Sequence, residues 1–259
     1  MTTEGNDPVL VGREGRVGIV TLHRPDRRNA INAALLDALV DAVGQLDADP
    51  DVGAIVLTGS DPAFCAGLDL AALASGERFG VGAPGQRGPL GARRTPLVGA
   101  VNGPAVTGGL ELALACDLLI ASERATFADT HARVGVMPGW GMSVLLPAAV
   151  GARRAAEMTL SGNYIDATTA AAWGLVNRVV PHDRLLPEAV GLAADIAAAD
   201  PEVVGELLTL LHTTTALAPD AAWEAEAAAS RRWWRERLDT AGIERRRTEV
   251  IERGRRQQG

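Results

Sequence analysis

The sequence predicts an α/β fold with crossover connections. Three observations carry that expectation. Short β-branched or apolar runs alternate with stretches of helical periodicity. The helical stretches fall between strands, in the order strand, helix, strand, strand, helix, strand. One run, "VGAIVLTGS" (52–60), is almost wholly apolar, as a strand covered on both faces must be.

Each element has its own reason. "GRVGIVTLHR" (15–24) is β-branched and reads as a strand. "RPDRRNAIN" then turns the chain, and Asn29 or Asn32 caps the next helix. In that helix Ile31, Leu35, Leu36, Leu39, Val43 and Leu46 recur at helical spacing. After the 52–60 strand, "TPLVGAVNGPAV" (95–106) and "LLIASERATFA" (118–128) read as two more strands. Between them "TGGLELALACD" is a short helix opened by a glycine pair. Residues 76–91, the most Gly/Pro-rich segment, read as a surface loop. From residue 151 helices dominate. "DATTAAAWG" (166–174) has an Asp cap and a closing Gly, and "LVNRVV" (175–180) is one more strand before Pro181. Asp200-Pro201-Glu202 supplies the cap, first-turn proline and acid of a helix start. The last fifty residues are helical and strongly charged. Trp223, Trp233 and Trp234 among those charges serve either internal packing or an oligomer contact. The expected organisation is a core over 1–199 and a helical region over 200–259.

Composition narrows the function classes. Hydrophobic content of 47% with 22% charged is that of a globular protein, and 3% aromatic leaves Ala, Val and Leu to fill the core. A net charge of −7 argues against a general nucleic-acid binder. Every basic side chain other than histidine is an arginine, so any phosphate must be met by arginine or by backbone amides. No eighteen-residue run is apolar and free of charge, and "MTTEGNDPVL" lacks the order of a signal peptide. Cys65 and Cys116 are too few for a disulfide framework or a four-ligand metal site. The expectation is a cytoplasmic protein with reduced thiols, no metal and no membrane partner.

Chemistry concentrates in "AFCAGLDL" (63–70), "AVNGPAVTGGLELALACD" (100–117) and "ADTHARVGVMPGWG" (128–141). Glycines at a helix start leave backbone N–H groups exposed and let a ligand approach them. The helix dipole adds positive potential there. Glu111 follows Gly108 by about one turn. An amide donor and a carboxylate on one space can polarise a carbonyl while a proton moves nearby. The plain alternative is a turn at Gly108-Gly109 with Glu111 as a helix-start acid.

These stretches, with "TLHRPDRRNAIN" and "GNYIDATTAAAWGLVNRVVP", resemble the enoyl-CoA hydratase/isomerase, or crotonase, family. The resemblance spans roughly residues 10 to 200, with the motifs in the family's order. It implies a spiral of ββα units with a C-terminal helical region used for trimer assembly, as a homotrimer or a dimer of trimers. It implies an acyl-CoA thioester substrate whose oxygen is held by the backbone N–H groups of Leu68 and Gly108. Losing one such donor costs about 3 kcal/mol. Coenzyme A would enter as part of the substrate, with no separate cofactor. By the same resemblance Ala66, Leu68, Asp69, Leu70 and Ala71 line the CoA path. Arg27 and Arg28 fall where the early turn meets the CoA, either contacting phosphate or forming a solvated surface pair.

Hydratases of this family use two acids. One corresponds to Glu111. At the position of the second, before Pro138-Gly139, this chain has His131. Trp140 follows that Pro-Gly where relatives commonly carry small residues, so the acyl pocket would be narrowed or reshaped. A His/Glu pair can run hydration: Glu111 would activate water with His131 as its acid partner, a division open to reversal. Asp129 would orient the ring or simply end a strand. His131 could also be structural. One carboxylate without a second acid fits the family's double-bond isomerases, and a lost acid fits a non-catalytic acyl-CoA-binding homologue. His23, His182 and His212 read as structural or exposed, and Cys65 as a packing residue.

Overall fold

The computed structural model describes residues 7–77, 88–215 and 217, with scattered positions from 221 to 236. Most of the 76–91 loop, and Trp223, Trp233 and Trp234, lie outside the described residues. Packing divides the chain into one unit over Met1–Gly205 and another over Glu206–Gly259. The chemistry-bearing stretches all belong to the first.

That unit is built on a six-stranded sheet in the order β1-β2-β3-β4-β6-β9. Its strands are β1 (Val9–Glu14), β2 (Val17–Leu22), β3 (Ala54–Gly59), β4 (Leu97–Val101), β6 (Leu118–Ser122) and β9 (Arg178–Val180). β1 and β2 form an antiparallel hairpin, and every other pairing is parallel. The two faces of β3 show why its sequence is apolar throughout. Ile55 and Leu57 enter one core with Leu35, Leu39 and Val43 of α1 (Ala33–Ala48). Ala54 and Val56 enter a second core with Ala189, Val190 and Ala193 of α8 (Leu185–Ala197). Alternate side chains of one strand point to opposite faces, so both must be apolar when both are covered.

A second sheet of three short strands, β5 (Ala105–Val106), β7 (Thr126–Ala128) and β8 (Ile165–Asp166), lies in the order β5-β7-β8. It corrects two expectations. The run 95–106 is two strands in different sheets, broken at Asn102-Gly103-Pro104, where Pro104 has no N–H to extend β4. The run 118–128 divides likewise, at Glu123-Arg124-Ala125, where the Ser122 hydroxyl and carbonyl accept from Arg124 and Ala125. β1 was not expected at all. Its Gly12-Arg13-Glu14 half is polar and mostly exposed, so it lacks the apolar pattern that marks a strand.

Caps follow the sequence closely. Asn32 caps α1 by accepting from Leu35 N, while Asn29 is buried and donates to Ser60, Ala63 and Phe64 carbonyls. Asp166 caps α7 (Ala167–Trp173), which closes at Gly174 in the left-handed region. Asp200 caps α9 (Pro201–Thr214). Further α-helices among the described residues are α2 (Leu70–Ala74), α3 (Gly108–Leu114), and the α5 (Met142–Val150) and α6 (Ala152–Ser161) pair, with α4 (His131–Val134) a single turn before that pair. No helix among the described residues is long and apolar enough to cross a membrane.

Candidate active site

The site forms where the 63–69 loop meets the start of α3. The approach is close enough to dictate the residues. A methyl on Gly109 would lie 2.0 Å from the Cys65 carbonyl oxygen. Gly67 has φ +92, and a methyl there would lie 2.7 Å from the Val106 carbonyl. Bridges of Cys65 to Ala105 and of Leu68 to Ile31 fasten the loop on both sides. Buried Cys65 donates its thiol to the Asn29 carbonyl at 3.1 Å, and burial pushes that thiol up to about 12. It is an inert packing residue, as expected.

Two backbone amides result that serve no acceptor of the chain among the described residues. Around Leu68, Ile31 N–H donates to Gly67 and Asp69 N–H to Ile31, which leaves Leu68 N–H unspent. Around Gly108, Thr107 N–H donates to Ala128 and Glu111 N–H to Thr107, which leaves Gly108 N–H unspent. The two amides are adjacent: a methyl on Gly108 would lie 3.6 Å from Leu68 N. Thr107 turns the chain between them with φ 53 and ψ −111, a costly conformation for a β-branched residue. Its hydroxyl bonds the Thr130 hydroxyl and accepts from Thr130 N, tying that strained residue to the next segment.

Glu111 lies in the same space, 3% exposed. Its Oε1 accepts from Trp140 N at 2.8 Å and from Met142 N at 3.2 Å. Its Oε2 faces His131 Nε2 at 3.8 Å. Burial raises the Glu111 pKa, and the two amides and His131 only partly offset it. His131 is buried at the start of α4, with Nδ1 2.6 Å from Asp129 Oδ1 and its own N–H on the same oxygen. Burial alone would raise the fully enclosed Asp129 carboxyl, but the two hydrogen bonds from His131, with the Thr159 hydroxyl nearby, hold it below the ordinary range. The Trp140 indole closes one side, its Cζ3 3.5 Å from where a Gly108 methyl would sit, and Ile31 Cδ1 is equally close to that point.

Leu68, Gly108, Glu111, His131 and Trp140 are thus brought together. Ala66 sits behind them on the loop, its N–H on the Arg28 carbonyl. Asp69 is spent on structure: it caps α2 through Ala71 and Ala72 and pairs with Arg24 at 3.1 Å. Leu70, Ala71, Arg27 and Arg28 are exposed or half-buried around this rim. Thr107, Ile31 and Arg24 are site-shaping residues that sequence reasoning missed. A β-branched residue before a Gly pair was the available signal for the first. His182 bridges Ser122 Oγ at 2.9 Å and Asp61 Oδ2 at 3.1 Å, and His23 bonds Ser60 Oγ, so both are structural. No three His, Cys, Asp or Glu side chains converge as metal ligands among the described residues.

Residues 12–245 match the family model described as Enoyl-CoA hydratase/isomerase. The chain belongs to the enoyl-CoA hydratase/isomerase family. A Mycobacterium leprae relative named probable enoyl-CoA hydratase is 45% identical over 194 residues, 74% of this chain and 76% of its own. A Rhizobium meliloti relative of the same name is also 45% identical, over 196 residues, again 74% of this chain and 76% of its own. A solved enoyl-CoA hydratase from Mycobacterium tuberculosis is 46% identical with a TM-score of 0.76, covering 87% of this chain and 98% of that one. A second solved structure from that organism, at 33% identity, has a TM-score of 0.85 over 96% of this chain and 97% of its own. The family's fold is therefore the one this mixed α/β chain adopts.

Proposed function

We propose that this chain is an enoyl-CoA hydratase whose acid-base pair is Glu111 and His131. The observation that carries the reading is their 3.8 Å approach beside two unspent amides, in a chain whose relatives are named hydratases. The Leu68 and Gly108 amides hold the thioester oxygen. Water adds to the β-carbon, the displaced electron pair becomes an enolate on that oxygen, and a proton reaches the α-carbon. Glu111 and His131 accept and supply the two protons. The amides do a Lewis acid's work, so coenzyme A enters only as part of the substrate and no other cofactor is called for.

Trp140 limits the acyl pocket beyond the α-carbon. Ala66, Leu70 and Ala71 line the pantetheine path, with Asp69 holding that loop through Arg24. Arg27 and Arg28, exposed at its rim, meet the CoA phosphates. Trimeric assembly through the C-terminal region, a spiral arrangement of ββα units and a cytoplasmic location belong to the same reading. The test is turnover of 2-enoyl-CoA thioesters of several chain lengths, followed by loss of the conjugated thioester absorbance. Folded protein that turns over none of them excludes hydration. Isomerisation is the second reading, favoured by Glu111 lying beside the two unspent amides with no second carboxylate among the described residues at the position that His131 occupies, Asp129 being fully enclosed behind the ring. Conversion of a 3-enoyl-CoA to the conjugated isomer without hydrated product would establish it.

A further inference from the structure

Thr107 sits where two structures meet. Behind it β5 runs parallel to β7, with Ala105 opposite Phe127 and Val106 opposite Ala128. Ahead of it α3 begins at Gly108. One backbone carbonyl cannot serve both. We propose that the Thr107 hydroxyl takes the carbonyl's place in the ladder, which makes Thr107 a positioning residue that aims the Gly108 amide at the thioester oxygen. The inference rests on the placement of that oxygen between the Leu68 and Gly108 amides.

In a parallel ladder, alternate residues of a strand donate N–H and accept at C=O toward the same neighbour, and the bonds are evenly spaced. Thr107 N–H makes the first of its two bonds, to the Ala128 carbonyl at 2.8 Å. The second would bring Thr130 N–H to the Thr107 carbonyl. Thr130 N–H goes instead to the Thr107 hydroxyl oxygen, at 3.1 Å. The carbonyl is released and accepts from Glu111 N at 2.9 Å, the first bond of α3. A planar trans peptide carries its carbonyl and its N–H on opposite sides. Turning the Thr107 carbonyl into α3 therefore turns Gly108 N–H out of it, beside Leu68 N.

That orientation is uphill. A φ of 53 with ψ of −111 is the first corner of a type II′ turn, which glycine normally fills. Half a turn of the Thr107–Gly108 peptide would bring Thr107 close to the left-handed helical region, a lesser strain for a residue with a Cβ. Gly108 would follow freely, having none. The flip would set a carbonyl where the amide donor had been. Against it stand the bonds of the Thr107 hydroxyl to Thr130 N–H and to the Thr130 hydroxyl. Without them Thr130 N–H also loses its acceptor, and α3 its tie to the segment that leads into His131.

Variants at Thr107 separate hydroxyl, strain and bulk. Thr107→Val keeps the shape and the strain and removes the acceptor. It should lower kcat for crotonyl-CoA hydration by about 10²–10³-fold, the loss of one oxyanion donor, with KM changed only a few-fold. Thr107→Ser keeps the acceptor and should recover kcat to within about five-fold of normal. Thr107→Gly removes the whole side chain but also the strain, so it should be at least about ten-fold faster than Thr107→Val. A side chain that merely fills space gives the reverse order, Val close to normal and Gly slowest, because Gly leaves the larger cavity. That order overturns the proposal, as does a Ser variant no faster than Val. If Thr107→Val does not fold, Thr107→Ala, strained and without a hydroxyl, replaces it in the same comparison. The infrared carbonyl stretch of bound butyryl-CoA, isotope-labelled at the thioester carbon, reads the amide without any turnover. It should move toward its free value in Thr107→Val and not in Thr107→Ser; a stretch that Thr107→Val leaves in place overturns the aiming of the amide. Unsubstituted protein that lowers the stretch yet hydrates nothing ends the hydratase reading, and the inference is then decided by the stretch alone. Unsubstituted protein that does not lower it overturns the inference.

Discussion

Gly108→Ala separates the stability of the site from its chemistry. The added methyl would lie 3.5 Å from Ile31 Cδ1, 3.5 Å from Trp140 Cζ3 and 3.6 Å from Leu68 N. All three are ordinary contacts, and Gly108 opens a helix outside the left-handed region, so folding should tolerate it. The stability change should stay within about 1 kcal/mol, with the lost glycine entropy favouring the variant. The same methyl stands on the residue carrying one amide donor and touches the other. An oxygen must come within about 3 Å of both donors to be held. That volume is taken, so at least one hydrogen bond is lost in the transition state, worth about 3–4 kcal/mol or 10²–10³ in kcat. Crotonyl-CoA hydration and thermal unfolding measured on one preparation decide it. The control lies one residue on. A methyl on Gly109 would be 2.0 Å from the Cys65 oxygen and 2.8 Å from its carbonyl carbon, and backbone cannot rotate away. Gly109→Ala should therefore destabilise by about 3 kcal/mol or more, as severe overpacking does. A folded Gly108→Ala protein within about three-fold of the normal kcat would refute the placement of the oxyanion at these two amides.

Three other perturbations test separate parts of the site. Burial raises the Glu111 pKa above its ordinary 4.5, so the folded chain keeps a proton that the unfolded chain releases, and stability falls as pH rises through that window. Glu111→Gln should then raise the melting temperature relative to the unsubstituted protein more at pH 8 than at pH 5, while lowering kcat by about 10²–10⁴; equal shifts at both pH values would contradict the burial argument. Trp140→Leu should raise kcat/KM for an eight-carbon 2-enoyl-CoA relative to the four-carbon one by at least about ten-fold, equivalent to about 1.4 kcal/mol; an unchanged ratio would mean the indole does not bound the acyl chain. Arg27→Ala and Arg28→Ala should raise KM several-fold with kcat held, more at low salt than at high, as exposed phosphate contacts do; an unaltered KM would make them a solvated pair.

Legibility in the sequence tracked how local each signal was. Asn32, Asp166 and Asp200 cap helices through bonds to residues two or three further on, so their roles could be read from a short window. β3 and α1 declare themselves by full burial and by helical period. β1 did not, because its exposed half carries polar side chains, and pairing with β2 is a non-local fact. The break inside 95–106 is marked in the sequence by Asn102-Gly103-Pro104, a turn signature; the break inside 118–128 has no such mark, and only sheet membership distinguishes its two sides. Within the site the glycine pair and Glu111 could be read. The work of Thr107 left one mark, a β-branched residue before the glycine pair, and its left-handed turn could not be read from that alone. Asp129 stood two residues before His131 in plain view. Its use depended on whether the ring folded back onto it, which the tight turn into α4 decides.

That turn changes what a histidine in place of an acid means. Two carboxylates flank one imidazole, and their surroundings push them in opposite directions: Asp129 down, Glu111 up. The imidazole sits between them, with Nδ1 2.6 Å from Asp129 Oδ1 and Nε2 3.8 Å from Glu111 Oε2. A cation formed on the ring is met at once by the enclosed Asp129 carboxylate, which spares it the cost of standing unpaired in a space closed to water. The hydration deficit of Asp129→Asn should accordingly appear in kcat and not in substrate binding. A variant that raised KM while keeping kcat would show that Asp129 shapes the pocket instead of balancing its charge.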